Sequence, residues 1–243
     1  NSFVGELVKS PTGTVLRSDN PRVYFNFLIV GASGAPIGHK AIVDVTDWST
    51  EPPKAKIRSV IGPAGEHQTE MRAIVAGKGF ETDFPKDVLA EASRLYDVSY
   101  SLEEIKNRRD FRKTLTFTID PDTAKDFDDA ISFARVDVET IEVGIHIADV
   151  THFVRPEGII EREAFKRATS VYLVDRTIPM LPPQLSEDLC SLKPNEDRLT
   201  FSAVFTLKNN EVTNRWFGRT IIRSAKRFTY DEADETLKDS TLS

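Results

Sequence analysis

The sequence predicts an α+β chain, with a small β-barrel followed by a mixed α/β domain. Three observations carry this. Over roughly the first 85 of the 243 residues, short runs of β-branched and aromatic residues alternate with Gly and Pro turns. A stretch with helical periodicity then begins near Pro85. Beyond Phe111, strand and helix periods intermix.

Within the first unit, Phe3–Leu7 reads as a short strand and 22–30 as a longer one. Gly31 to Gly34 reads as a turn, His39–Asp47 as a strand, and 55–62 as another after Pro52 and Pro53; Met71 to Ala76 closes the set. Five short strands in so little chain point to a closed barrel, for which the oligonucleotide-binding (OB) fold is the natural candidate. Alternation along 22–30 puts Arg22, Tyr24 and Asn26 on one face and Val23, Phe25 and Phe27 on the other. The second set reads as core. Tyr24 with Arg22 is the candidate for stacking on a nucleobase.

Residues 84–110 read as a helical connector. Val88, Leu89, Ala92 and Leu95 form an apolar stripe at helical spacing, and Ser101 followed by Glu104 is a capping box. Leu115, Phe117 and Ile119 alternate with threonines as in a half-buried strand, and Ala130, Ile131 and Phe133 open the next. Residues 138–150 alternate again, and 157–168 are amphipathic. Residues 199–207 and 212–222 form a hairpin around Asn209-Asn210. A last helix starts at Asp231.

Between the strands at 115 and 130 lie Asp120, Asp122, Asp126, Asp128 and Asp129, five carboxylates in ten positions. A run of acids is ordinarily a solvated loop. This one joins two core strands. Like charges about 4 Å apart repel by roughly 4 kcal/mol at the effective dielectric of a protein site. A hard divalent ion, Mg²⁺ or Mn²⁺, relieves such a cluster. A calcium EF-hand loop is excluded, because counting from Asp120 its glycine and glutamate positions hold Lys125 and Ile131. An aspartyl-phosphatase pattern fails at Ala124.

The net charge of −6 argues against a generic nucleic-acid coating protein. Two local basic clusters, Lys106 to Lys113 and Arg215 to Arg227, are suited to holding a polyanion near acidic ligands. The single cysteine, Cys190, excludes an internal disulfide and a cysteine-based zinc site and fits a cytoplasmic location. No run of eighteen apolar residues is present, so no membrane association is expected. The first residue is Asn1, as in a piece excised from a longer protein.

The string from Thr118 to Ala130, TIDPDTAKDFDDA, resembles the signature of the ribonuclease II/ribonuclease R family of 3′→5′ exoribonucleases. Residues 143–154, 168–182, 185–194, 216–224 and 227–230 continue the resemblance in order, closest to the ribonuclease R branch. It implies a cold-shock-type OB barrel over 1–84, a connector over 85–110, and the N-terminal part of the catalytic (RNB) domain over 111–243. By the same resemblance, Asp120, Asp126 and Asp129 are expected to hold metal, and Asp128 to act in the chemical step. Tyr172 matches a tyrosine expected to stack near the 3′-terminal nucleotide, and Asp122 has no counterpart. Independently of the resemblance, Asp149 is a candidate to support the site from behind. Two metals about 3.5–4 Å apart would neutralise phosphorus, supply hydroxide and stabilise the leaving oxygen. The implied activity is Mg²⁺-dependent, processive degradation to 5′-mononucleotides. The implied partner is single-stranded RNA or RNA with a 3′ overhang, with no obligate protein partner. The resemblance also implies further catalytic groups beyond Ser243, so this piece alone is expected to be inactive. The alternative is a non-catalytic RNA-binding module.

Overall fold

The computed structural model describes residues 2–31, 34, 36–97, 100–173 and 176–238. The chain divides into two compact units, 1–84 and 85–243.

The first unit is a closed five-stranded barrel built from β1 (Ser2–Ser10), β2 (Gly13–Ser18), β3 (Phe27–Ile29), β4 (His39–Asp47) and β5 (Lys54–Pro63), in the order β1-β2-β3-β5-β4. Pairing of β1 with β4 closes the ring, and only β3 and β5 run parallel. Leu7, Leu16, Phe27, Ala41, Val43 and Ala55 fill it. The barrel agrees with expectation, but three of its parts do not. Strand β2 is an additional strand, formed with β1 around Pro11 and Thr12. The expected strand 22–30 shrinks to Phe27–Ile29, because a side-chain-anchored turn occupies its start, with Asn20 Oδ1 accepting from the Arg22 amide at 3.0 Å. The segment around Met71 is not a strand but part of helix α1 (His67–Gly77), which buries Thr69, Ala73 and Val75. The turn expected at 31–34 lies partly outside the described residues.

The second unit opens with α2 (Lys86–Arg94), a 3₁₀ turn at Leu95–Asp97, and α3 (Leu102–Lys106). The Ser101 hydroxyl caps α3 by accepting from the Glu104 amide at 3.0 Å. Seven strands then form one sheet: β6 (Arg109–Phe111), β7 (Leu115–Asp120), β8 (Asp129–Arg135), β9 (Thr140–Ala148), β12 (Asp197–Lys208), β13 (Glu211–Arg223) and β14 (Lys226–Thr229). Their order is β14-β7-β8-β9-β12-β13-β6, and both short edge strands pair in parallel. A 3₁₀ turn at Val150–His152, helix α4 (Ile159–Arg167), the ribbon β10 (Val171–Tyr172) and β11 (Thr177–Ile178), and a π-helical turn (Leu185–Leu189) connect β9 to β12; α5 (Tyr230–Lys238) follows β14. Asn209 and Asn210 turn the β12–β13 hairpin with φ of 49° and 63°, which Asn tolerates better than most residues.

In β7, β8, β9 and part of β12 the faces are assigned opposite to hydropathy. In β7 the buried residues are Thr116, Thr118 and Asp120, while Leu115 and Ile119 are exposed. The same holds for Ser132 against Ile131 and Phe133, for His146 against Ile145 and Ile147, and for Thr200 and Ser202 against Phe201. On the buried side of β8, β9, β12 and β13 the polar groups satisfy one another. The His146 ring, fully buried, bonds Ser202 Oγ at 2.6 Å and Ser132 Oγ at 2.8 Å, and Thr220 Oγ1 links Ser202 to Thr200. A Cβ at Gly144 would come within 2.5 Å of Ser132 Oγ and 2.6 Å of His146 Nε2, so glycine admits this contact. Buried Arg108 closes the end of the array. It donates to the Thr200 and Thr220 carbonyls and pairs with Asp149 at 2.6 Å and Glu104 at 2.7 Å.

Candidate metal and RNA site

Strand β7 ends at Asp120 and β8 begins at Asp129. Their antiparallel register pairs Phe117 with Ile131; continued three residues, it brings position 120 opposite 128. The eight-residue excursion between the strand ends, 121–128, therefore returns the acids toward one another. Asp120 is buried at the floor, Asp126 half-buried, and Asp128 and Asp129 exposed. Asp122 is a solvated turn residue, with its side chain 89% exposed and 4.0 Å from Arg227.

Electrostatics couple four of the five. Burial, then repulsion from Asp126, Asp129 and Asp120, pushes the Asp128 carboxyl up to about 6. The residue as a whole is exposed, and repulsion from the three acids acts in the same direction as burial. Burial also raises Asp120, with Asp129 and Asp126 adding to it and Thr118 and Arg227 opposing it. Thr118 lies near enough to act on this charge, yet neither its hydroxyl nor the buried Asp120 Oδ2 has a well-formed hydrogen bond. An orphaned carboxylate oxygen at the floor of an anionic cluster fits a hard cation. Among the described residues, no three His, Cys, Asp or Glu side chains already converge closely enough to hold one.

Tyr172, on β10, presents a ring that is 67% exposed and donates from its hydroxyl to Asp126 Oδ2 at 3.2 Å. Burial and Asp126 together raise its pKa. It borders a cleft of about 480 Å³ together with Pro121, Lys125, Asp126, Arg176 and Thr177. Asp149 faces Arg108 and Thr151 rather than the acidic loop. In the first basic cluster Arg108 is buried, Arg109 pairs with Glu142 and Arg112 with Asp110 and Asp197, while Lys106 and Lys113 are exposed. In the second, Arg223 pairs with Asp197, while Arg227 holds the Pro121 carbonyl and lies over the Phe127 ring.

On the barrel, Tyr24 is 92% exposed and Arg22 is exposed as well. Sequence reasoning missed Trp48. Its ring is 50% exposed and meets Phe3, Phe25 and Phe27 edge-on at 5.9–6.4 Å. Phe25, assigned to the core, is 45% exposed beside it, while Phe27 is buried as expected. The available signal was an aromatic residue immediately after β4.

The RNB domain family matches residues 108–242, and the cold shock domain family CSD2 matches 16–85. DIS3-like exonuclease 2 of Schizosaccharomyces pombe is 43% identical over 200 residues, covering 81% of this chain and 22% of that protein. Ribonuclease R of Chlamydia pneumoniae is 38% identical over 208 residues, covering 83% of this chain and 31% of that protein. At 40% identity over 198 residues and 79% of this chain, an Arabidopsis thaliana relative (19% covered) is named inactive exonuclease DIS3L2. The structure of Mycoplasma genitalium RNase R in complex with double-stranded RNA superposes with a TM-score of 0.87 at 25% identity, covering 98% of this chain and 43% of that one. The chain thus spans less than a third of the length of these curated relatives.

Proposed function

The chain belongs to the RNB-domain family, and from that premise we propose that it is the barrel and leading catalytic part of a Mg²⁺-dependent, processive 3′→5′ exoribonuclease releasing 5′-mononucleotides. The observation that carries this reading is the acidic loop, in which Asp120, Asp126, Asp128 and Asp129 repel one another and the buried Oδ2 of Asp120, at the end of β7, has no hydrogen-bond partner. Asp120, Asp126 and Asp129 would hold two Mg²⁺ ions, with Mn²⁺ as a substitute; these supply charge neutralisation at phosphorus and an activated water. Asp128 acts in the chemical step. The exposed Tyr172 ring stacks against the 3′-terminal base, with its hydroxyl held by Asp126. The substrate is single-stranded RNA or RNA with a 3′ overhang. The single, buried cysteine Cys190 keeps a cytoplasmic location in the reading.

The decisive experiment is incubation of the full-length protein with 5′-labelled RNA and Mg²⁺. A ladder shortening from the 3′ end is expected; RNA that is bound but never shortened would favour the second reading, a non-catalytic RNA-binding module, for which the relative named inactive is the precedent.

Metal binding is testable on the 243-residue chain itself. At Mg²⁺ about 100 times its Kd, the melting midpoint should rise by roughly 5–10 °C. An Asp120→Asn/Asp129→Asn double variant should show no rise. Equal shifts in both would remove the acidic loop from consideration.

RNA affinity of the barrel is expected to rest on its exposed rings. Tyr24→Ala and Trp48→Ala should each weaken single-stranded RNA binding about fivefold, the order of one stacked base, without altering its dependence on salt. A lysine or arginine contact would change that salt slope instead, so titrations at two ionic strengths separate the cases.

A further inference from the structure

The segment 185–194 was singled out in the sequence, and nothing above uses it. At its end, Ser191 is fully buried and reaches back across the fold to the acidic loop. Its hydroxyl donates to the Lys125 carbonyl at 2.8 Å and accepts from the Phe127 amide at 3.1 Å. The next amide, Leu192, donates to the Phe127 carbonyl at 2.9 Å, and the Ala148 amide to the Asp128 carbonyl at 2.9 Å. Ser191 is itself held, because Arg198 Nε donates to its carbonyl at 2.8 Å.

From this geometry we infer that Ser191 is a positioning residue, whose one hydroxyl fixes the backbone on both sides of Asp126 and so sets Asp126 and Asp128 on a common face. The inference rests on reading the loop as a metal site. The argument is one of alternation. Phe127 turns into the core, where it is buried. In ladder-bonded backbone the side chains on either side of an inward residue point outward together. The loop has no neighbouring strand to bond Lys125 and Phe127, so a side chain takes that place. Serine suits it because a hydroxyl donates once and accepts twice, whereas alanine does neither. Without the hydroxyl, a donor and an acceptor lose their partner, and residues 125–128 are free to rotate the two carboxylates apart.

The test uses the 243-residue chain with Mn²⁺ as the probe, and free Mn²⁺ is read by its paramagnetic resonance signal. Ser191→Ala should weaken Mn²⁺ binding about tenfold or more, the usual cost of losing a group that orients metal ligands. Exchange of the Phe127 amide hydrogen should quicken by a similar factor, while the Thr200 amide in the centre of the sheet stays protected. Ser191→Thr, which keeps the hydroxyl, should restore both. Wild-type Mn²⁺ affinity in Ser191→Ala would overturn the inference. If the alanine variant does not fold, Ser191→Thr and Ser191→Cys carry the comparison, and equal affinity in those two would overturn it as well. If wild type binds no Mn²⁺, the metal reading of the loop fails, and the Phe127 exchange rate alone decides whether Ser191 holds the backbone.

Discussion

Asp128→Asn in the full-length protein is expected to stop the shortening of RNA from its 3′ end, with a loss in rate of roughly 10²–10⁴-fold. Asparagine preserves the shape of the side chain and removes only its charge and its capacity to take a proton. The fold should not suffer. In the metal-free protein this carboxyl is pushed up to about 6 by burial and by three other acids, so at neutral pH its ionised form opposes folding. A raised carboxyl pKa means stability that declines as pH rises through about 6, and the asparagine variant should lack that decline. The signature is therefore double: activity collapses while the metal-free melting midpoint near neutral pH stays level or rises. Unchanged shortening by the variant would sink the assignment of Asp128. A fall in both activity and midpoint would make the residue structural.

The second large effect concerns His146. Burial holds its ring well below the ordinary histidine value, down to about 4 from 6.5. The folded protein keeps the ring neutral between two serine hydroxyls, whereas the unfolded chain protonates it near pH 6.5. Between those values the unfolded state binds the extra proton. The stability owed to the neutral ring is thus complete above about pH 6.5 and is lost as pH falls toward 4. At 1.36 kcal/mol per pH unit, this amounts to about 3 kcal/mol. Asp128 titrates in the same interval with the opposite sign, so a single pH profile would mix the two. The clean measurement is the difference in unfolding free energy between wild type and His146→Gln, which cancels Asp128. That difference should narrow by about 3 kcal/mol from pH 7 to pH 4. A constant difference would mean that the ring is not shielded.

Much of this was readable in the residues, for identifiable reasons. The β12–β13 hairpin announced itself because two long alternating runs flank Asn209-Asn210, a pair suited to positive φ. The acidic loop was legible because five carboxylates between core strands have few explanations. The errors came where local preference and tertiary context diverge. Ile74 and Val75 favour strands locally, but Met71, Ile74 and Val75 also have helical spacing, and the helix won. Tyr24 and Phe25 read as strand formers, yet the turn anchored by Asn20 delays β3 until Phe27. The basic clusters were visible, but their pairing with Asp149, Glu142 and Asp197 depends on residues far along the chain. Ser191 carried no signal: one serine looks like another until its hydroxyl is seen between Lys125 and Phe127.

The inverted sheet has one more consequence, for how the strands find their alignment. Slipping β7, β8 or β9 by a single residue would exchange the two faces, sending Ile131, Ile145 and Ile147 inward and Ser132 and His146 outward. Counted by apolar area alone, that misalignment would be preferred, because hydrophobic burial is the dominant favourable force in folding. What opposes it is the run of hydroxyls and imidazole across β8, β9, β12 and β13, together with the gap at Gly144 that only the native pairing fills. Slipping β9 would take the ring away from Ser132 and Ser202, and slipping β8 would take Ser132 away from the ring, so groups that stay buried on the neighbouring strands lose partners, at about 1–3 kcal/mol for each. The polar face thus acts as a key that admits one alignment.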